Sequence, residues 1–328
     1  MLTKKVAIIG DGGWGTTLAV LLYYKGYNTT LWSAFSDYAE VLDKERENKK
    51  FLPGVKIPKN IRITSDLNTL EENDLYIIAV PCQYLRKTLK NFAGIIKRPV
   101  VSAVKGIENS SLKRPSEVIT DVLGKLNLSV LSGPTIAYEV VRGIPTTCII
   151  SSEDNNTAYE LQKIFSTEKF RVYTSNDIIG AELAGALKNI IAIAAGISDG
   201  MSFGVNTKAA LLTRGLVEIA RLGVEMGAGK DTFNGLSGVG DLATTCMSFH
   251  SRNRWFGEEI GKGKSLKKVL SETKMVIEGV ATTKSAYELA KKYKVEMPIT
   301  EQIYQVLYKG KNPKEAVREL MTRAPKSE

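Results

Sequence analysis

Gly10, Gly12 and Gly15 stand in G-x-G-x-x-G spacing, directly after the apolar run Val6–Ile9 and directly before a helical pattern that begins at Gly13. A chain can use that spacing in few ways. The first glycine permits a tight turn, the second lets backbone approach a pyrophosphate, and the third lets a helix pack closely on a strand. The new helix then aims its N-terminal N–H groups at the phosphates. A second strand candidate, Thr29–Trp32, closes the unit within about 30 residues, the context that a dinucleotide-binding loop requires. A turn that only packs a helix against a strand is the competing reading.

The alternation continues along the first half. Further β-branched or apolar runs lie at 61–64, 75–80, 100–104, 129–131, 146–150 and 171–173. Helical patterns separate them at 37–44, 83–96, 115–123, 135–141 and 156–165, which predicts a parallel sheet covered on both faces. After Ser175 and Asn176 the strand signal stops and helices are expected at 177–197, 208–226, 254–260, 266–271, 283–292, 300–308 and 313–320. The fold class is therefore α/β with a Rossmann-type parallel sheet, followed by an all-α domain. Residues 1–176 form the dinucleotide-binding domain and 177–328 the helical substrate and catalytic domain. Residues 324–328 read as a loose tail.

Charge and rare residues narrow the chemistry. The 45 Lys and Arg against 35 Asp and Glu leave +10, a field that draws anions without distinguishing nucleic acid, lipid and phosphorylated metabolites. The basic residues are dispersed, which argues against a nucleic-acid partner. Cys82, Cys148 and Cys246 lie far apart with no Cys-x-x-Cys, so neither a zinc site nor a disulfide framework is expected, and a reducing cytoplasm fits. Val6–Ile9 is too short for the core of a signal peptide. The apolar stretch 178–197 approaches bilayer length, but Glu182, Lys188 and Asn189 interrupt it, so a buried helix is expected and no membrane insertion. His250 is the single histidine. Chemistry in this chain has to work mostly without imidazole.

Ligands of an open α/β sheet gather outside the carboxyl ends of its strands. An Asp or Glu is expected at the end of the second strand for a ribose 2′-hydroxyl, or an Arg nearby for a 2′-phosphate; this chain has Ser33, Ala34 and Phe35 there. Ser33 could bond either cofactor. The basic run Lys44, Arg46, Lys49 and Lys50 could lean toward a 2′-phosphate or form a solvated helix face. The choice between NAD(H) and NADP(H) stays open. The other strand ends offer Pro81, Lys105 and the turn Gly133-Pro-Thr135, a cationic and N–H-rich edge suited to a phosphate.

In the helical half, apolar residues surround Lys188 on every face of its helix pattern, and desolvation there disfavours the ammonium. Lys188 is thus the leading proton acceptor, with a structural pairing to a carboxylate as the alternative. Asp241 sits in a glycine-bounded turn and could fix that lysine or a substrate hydroxyl. Ser251, Arg252 and Asn253 precede a helix, where they could converge on an anion. His250 beside them is expected on the surface or behind the site.

The chain resembles the bacterial NAD(P)-dependent glycerol-3-phosphate dehydrogenases over nearly its whole length. The resemblance is carried by the stretches 10–19, Val104-Lys-Gly-Ile-Glu108, Leu131-Ser-Gly-Pro-Thr135, Leu187-Lys-Asn-Ile-Ile-Ala-Ile193, Gly238-Val-Gly-Asp-Leu242, Ser251-Arg-Asn-Arg-Trp-Phe-Gly257 and Val295-Glu-Met-Pro-Ile-Thr-Glu301. It implies a Rossmann domain followed by a helical domain like that of 6-phosphogluconate dehydrogenase, usually dimeric and cytoplasmic. The implied reaction is hydride transfer between glycerol 3-phosphate and dihydroxyacetone phosphate, which supplies phospholipid synthesis. Under the resemblance Lys188 is the proton acceptor. Lys105, Gly133, Thr135, Asp241, Ser251, Arg252 and Asn253 contact substrate, with Lys105 and Arg252 shared with the cofactor. Gly13, Trp14, Ala137, Val276 and Glu278 also fall on cofactor positions, and no metal is implied. Many members carry a basic or His residue where this chain has Ala34 and Phe35. Two alternatives are a related dehydrogenase of another hydroxy acid and a non-catalytic nicotinamide sensor.

Overall fold

A computed structural model describes residues 4–273, 275–325 and 327. Of the expected tail, residues 326 and 328 lie outside the described residues. Two compact units are present. One takes in the chain up to Lys105 and then Lys113–Glu182; the other takes in Gly106–Leu112 and the chain from Leu183 onward.

The first unit is an eight-stranded sheet. Its strands are β1 (Lys5–Ile9), β2 (Asn28–Trp32), β3 (Arg62–Thr64), β4 (Leu75–Ile78), β5 (Val100–Ser102), β6 (Leu128–Ser132), β7 (Thr146–Ser152) and β8 (Phe170–Ser175), in the order 3-2-1-4-5-6-7-8. The helices are α1 (Gly13–Tyr24), α2 (Ser36–Glu45), α3 (Leu85–Lys90), α4 (Pro115–Leu123), α5 (Ala137–Val141) and α6 (Asn155–Phe165). Strand alternation splits the core between the faces. Val6 and Ile8 of β1 join one buried cluster with Leu18, Leu22 and Phe165, while Ala7 and Ile9 join another with Leu85, Phe92 and Ile119. Both faces are therefore covered by helices, which is why the strands read as continuous apolar runs.

Two details depart from the expected pattern. β7 runs antiparallel to β6, with Ser132 opposite Ile149, in a sheet whose other pairs are parallel. The link between them holds a single helix, the five-residue α5, which at 1.5 Å per residue covers about 7.5 Å, less than half the length of a five-residue strand. The helical pattern at 83–96 also contracts to a 3₁₀ turn at Cys82–Tyr84 and the six residues of α3. Gly94, at φ +86°, takes the chain into a left-handed turn that a helix cannot continue through.

The second unit is helical: α7 (Ile178–Gly200), which the unit boundary cuts between Glu182 and Leu183, then α8 (Val205–Glu225), α9 (Asp241–Met247), α10 (Arg252–Gly261), α11 (Leu266–Ser271), α12 (Glu278–Tyr293), α13 (Pro298–Lys309) and α14 (Pro313–Met321). α9 was hidden in the sequence by the glycines before it, which form a π-helical turn at Leu236–Gly240. Asp177 begins α7 by accepting the Gly180 N–H at 2.8 Å. α7 is long and apolar enough to cross a membrane, but 89% of its most apolar window is buried inside the protein.

α7 and α10 meet backbone to backbone. A Cβ on Gly257 would lie 2.1 Å from the Ile193 carbonyl oxygen, one on Gly196 2.0 Å from that of Arg254, and one on Gly261 2.4 Å from that of Ile197. No side chain separates the two helices along this seam. α13 is tied to α8 differently. Glu218 accepts the N–H groups of Ile299 and Thr300 at 2.6 and 3.2 Å, satisfying the first turn of α13. Burial pushes the Glu218 carboxyl up to about 7, with these hydrogen bonds opposing the rise.

Replacing Gly257 by Ala should destabilise the fold by at least about 2 kcal/mol, because the contact is with rigid backbone; Gly204→Ala, with open space at its Cβ, should melt like the parent. Thermal denaturation of both variants checks this. Between pH 4.5 and about 7 folded Glu218 keeps a proton that the unfolded chain has lost, so stability falls as pH rises through that window. The contribution is about 3 kcal/mol, and Glu218→Gln should flatten the corresponding slope in melts taken from pH 5 to pH 8.

Candidate active site

In the first unit, the loop after β1 packs tightly at every glycine except one. A Cβ on Gly10, whose φ is +118°, would meet the Ala79 carbonyl oxygen at 2.7 Å; on Gly13 it would meet that of Phe51 at 2.7 Å; on Gly15 that of Gly10 at 1.9 Å. At Gly12 nothing lies within 4 Å. Gly10, Gly13 and Gly15 thus serve the protein's own packing, whereas Gly12 leaves open the approach that a pyrophosphate at the N-terminus of α1 requires. The loop therefore fits a dinucleotide. Trp14 is half-buried against the sheet core.

Polar groups brace this loop from beneath. Ser33, fully buried at the end of β2, donates to Asp11 Oδ2 at 2.6 Å. The buried Asn48 amide donates to the Asp11 carbonyl at 2.7 Å and to Thr16 Oγ1 at 2.8 Å, and its Oδ1 accepts from Tyr38 at 2.7 Å. Sequence reasoning passed over Asp11 and Asn48. The available signal for Asn48 was one amide inside the charged run from Arg46 to Lys50.

Further along the same carboxyl edge, Lys105 Nζ donates to the Gly133 carbonyl at 2.9 Å, and Thr135 Oγ1 donates to the same oxygen at 3.1 Å. Gly133 has φ +129° and no room for a side chain, since a Cβ would sit 3.0 Å from the Cys148 Cα. This turn brings a cation and a hydroxyl together on one carbonyl. Pro81 opens the 3₁₀ turn after β4, and Ala137 at the start of α5 accepts from Thr17 Oγ1 at 3.2 Å.

In the second unit, Lys188 is 6% and Asp241 2% exposed, and they form an ion pair at 2.6 Å. The π-helical turn aims Asp241: Gly238 lies against the Phe233 carbonyl, where a Cβ would come within 2.0 Å. Lys188 also donates to Thr245 Oγ1, and that hydroxyl donates its own hydrogen to the Asp241 carbonyl at 2.7 Å. Because its hydrogen is committed to the helix, Thr245 faces Lys188 as an acceptor. Thr245 was not expected. Its signal was position, one helical turn after Asp241 on α9.

The start of α10 gathers the remaining residues. Ser251 caps the helix, accepting the Arg254 N–H at 3.2 Å. Arg252 is exposed and donates to the Val276 carbonyl at 3.1 Å, just before Glu278 opens α12. Asn253 donates to Asn189 Oδ1 and accepts the Gly279 N–H, each at 2.9 Å, so both ends of its amide hold α7 and α12 to α10. Asn189, the neighbour of Lys188, is thereby fixed as well. His250 is exposed. Among the described residues no group of three or more His, Cys, Asp and Glu is placed to hold a metal ion.

Comparison with known proteins places both halves of the chain in one family. Residues 5–158 match the family model described as NAD-dependent glycerol-3-phosphate dehydrogenase N-terminus, and residues 177–318 match the corresponding C-terminus. The chain is 50% identical over 329 aligned positions to glycerol-3-phosphate dehydrogenase [NAD(P)+] of Carboxydothermus hydrogenoformans, covering 99% of this chain and 98% of the other. It is 48% identical to the protein of that name from Fusobacterium nucleatum, with the same coverage. The crystal structure of glycerol-3-phosphate dehydrogenase from Coxiella burnetii superposes with a TM-score of 0.94 at 36% identity, covering 98% of this chain and 99% of that one. A ketopantoate reductase from Ralstonia eutropha, 14% identical with a TM-score of 0.63, shares the fold. With the glycine loop, the buried lysine–aspartate pair and full-length family matches in place, the chain belongs to the NAD-dependent glycerol-3-phosphate dehydrogenase family.

Proposed function

We propose that the protein interconverts glycerol 3-phosphate and dihydroxyacetone phosphate, with a nicotinamide dinucleotide as hydride partner. The observation that carries this reading is the buried Lys188–Asp241 pair within a chain half identical to a dehydrogenase of that name. When bound, the dinucleotide supplies or accepts the hydride. What remains for the protein is to bind the substrate's phosphate and to move one proton at the C2 oxygen.

Lys188 performs the proton transfer. In the reductive direction its ammonium donates to the ketone oxygen as charge builds there; in the oxidative direction the amine takes the proton of the C2 hydroxyl. Asp241 and Thr245 both accept from Nζ, which fixes the lysine's direction. Arg252 and Ser251, at the N-terminus of α10, are suited to the substrate phosphate through charge and helix N–H groups. Lys105, Gly133 and Thr135 are assigned as substrate contacts. Asn253 is assigned with them, its amide keeping α10 and α12 in register. Gly12, Trp14, Pro81, Ala137, Val276 and Glu278 are assigned to dinucleotide binding, with Lys105 and Arg252 shared; Gly10, Gly13 and Gly15 serve it by shaping the loop through their packing, and the buried Ser33 by bracing that loop through Asp11. The proposal includes a cytoplasmic homodimer, favoured by the exposed apolar Val205, Met247 and Phe249 of the second unit, and a role in supplying phospholipid synthesis.

Purified protein should oxidise NADH or NADPH when given dihydroxyacetone phosphate, and absence of turnover with both would reject the reading. Unphosphorylated dihydroxyacetone should be used at least roughly 100-fold less efficiently in kcat/KM, since charge-assisted contacts to the phosphate are lost. Lys188→Ala should lower kcat by about 10²- to 10⁴-fold with dinucleotide affinity unchanged in titration calorimetry. Gly12→Ala should melt like the parent yet lose most dinucleotide affinity, because its new methyl group occupies the open approach.

A further inference from the structure

Dinucleotide folds of this kind place an acidic side chain at the end of the second strand, where it accepts a hydrogen bond from the adenosine ribose 2′-hydroxyl and repels a 2′-phosphate. Here that strand ends in Ser33, Ala34 and Phe35, none of them acidic or basic. The structure nevertheless puts a carboxylate at this place. β1 and β2 are adjacent and parallel, with Ile9 opposite Trp32, so the residues that follow them emerge side by side at the carboxyl edge. Asp11 emerges after β1 and Ser33 after β2, and the serine hydroxyl donates to Asp11 Oδ2 at 2.6 Å.

We propose that Asp11, held by Ser33, is the acidic group that reads the adenosine ribose, and that it makes the protein select NADH over NADPH. The assignment rests on the dinucleotide reading of the glycine loop and deepens it. Three further observations point the same way. Ser33 donates to one carboxylate oxygen of Asp11 and the aspartate's own backbone N–H also bonds the carboxylate, and among the described residues no second side chain donates to it, so acceptor capacity remains. An acceptor is thus left for a hydroxyl. Two of the four cations of the basic run are engaged elsewhere: Arg46 bonds the carbonyls of Asp43 and Ile61 and pairs with the Asp43 carboxylate, and Lys49 pairs with Glu45 at 3.0 Å. Lys50 lies over the rings of Tyr38 and Phe51, at 5.4 and 4.8 Å from their centroids, and its charge also reaches the Asp11 carboxylate, favouring the ionised form. Finally, Phe35 is 66% exposed beside Ser33, its N–H bonded to the serine hydroxyl at 3.2 Å. It offers a flat apolar face for an adenine ring, in a position where a 2′-phosphate site would use an arginine.

Ser33 acts here as a positioning residue. Its own side chain is fully buried, so its influence on a ribose passes through the carboxylate it orients.

The test is titration calorimetry of the full chain with NADH and with NADPH, alongside initial rates with dihydroxyacetone phosphate. The parent should bind NADH at least about tenfold more tightly than NADPH, the ratio expected when a phosphate is brought near an ionised carboxylate. Asp11→Asn keeps the shape and the bond to Ser33 but removes the charge. It should tighten NADPH binding about tenfold and weaken NADH only a few-fold, moving KM for the two dinucleotides in opposite directions at nearly constant kcat. Asp11→Ser, which removes the carboxylate and shortens the side chain at the same point, should shift the ratio the same way if the Asn variant is unstable. Equal affinity for the two dinucleotides in the parent, or parallel weakening of both in the variants, overturns the assignment and leaves the dehydrogenase reading intact. Selective NADH binding without turnover of dihydroxyacetone phosphate overturns the substrate reading and supports the ribose assignment. Failure to bind either dinucleotide overturns both.

Discussion

An ammonium nearly sealed from water has few stable surroundings, and at Lys188 they are supplied by Asp241 and Thr245. Much of the second unit follows from that pairing. α7 has to be apolar on every face to enclose the lysine, so it carries alanines and glycines where an ordinary surface helix would carry charge. α9 has to begin at Asp241, which the preceding glycines permit by folding against Phe233 without side chains. Thr245 has to lie one turn later, its hydrogen already given to the helix backbone. A buried pair of this kind contributes little net stability, because desolvating the two charges offsets their attraction. Its value is directional: it sets which way one N–H vector points.

The sequence made the strands plain, because a sheet covered on both faces needs runs of apolar residues that nothing else in a short chain resembles. β7's reversal was not legible, since the apolar periodicity of a strand is the same in either direction. α3 and α9 were misread or missed for opposite reasons. Helical spacing across 83–96 concealed the breaks around α3, whereas glycines before Asp241 concealed the helix that they allow.

At the site, residues with unusual surroundings in sequence were visible: a lysine in an alanine-rich helix, an aspartate between glycines, a lysine and a threonine at strand ends. Thr245, Asn48 and Asn189 were not, because each acts through a partner far away in the chain. Asp11 was a further case. It lay inside the most conspicuous motif of the sequence, yet its carboxylate has meaning only beside Ser33, on the neighbouring strand. Motifs report backbone demands well and side-chain company poorly.

The glycine seam between α7 and α10 also fixes a distance. Most helix pairs are separated by side chains that sit in one of several rotamers, so their spacing depends on which rotamers are occupied. Here carbonyls and α-carbons meet directly at Gly196, Gly257 and Gly261, and there is no rotamer to excite. The distance from Asn189 on α7 to Asn253 on α10 is therefore set by covalent geometry and van der Waals radii. The spacing that fixes the neighbour of Lys188 thus depends little on side-chain rotamers along this seam.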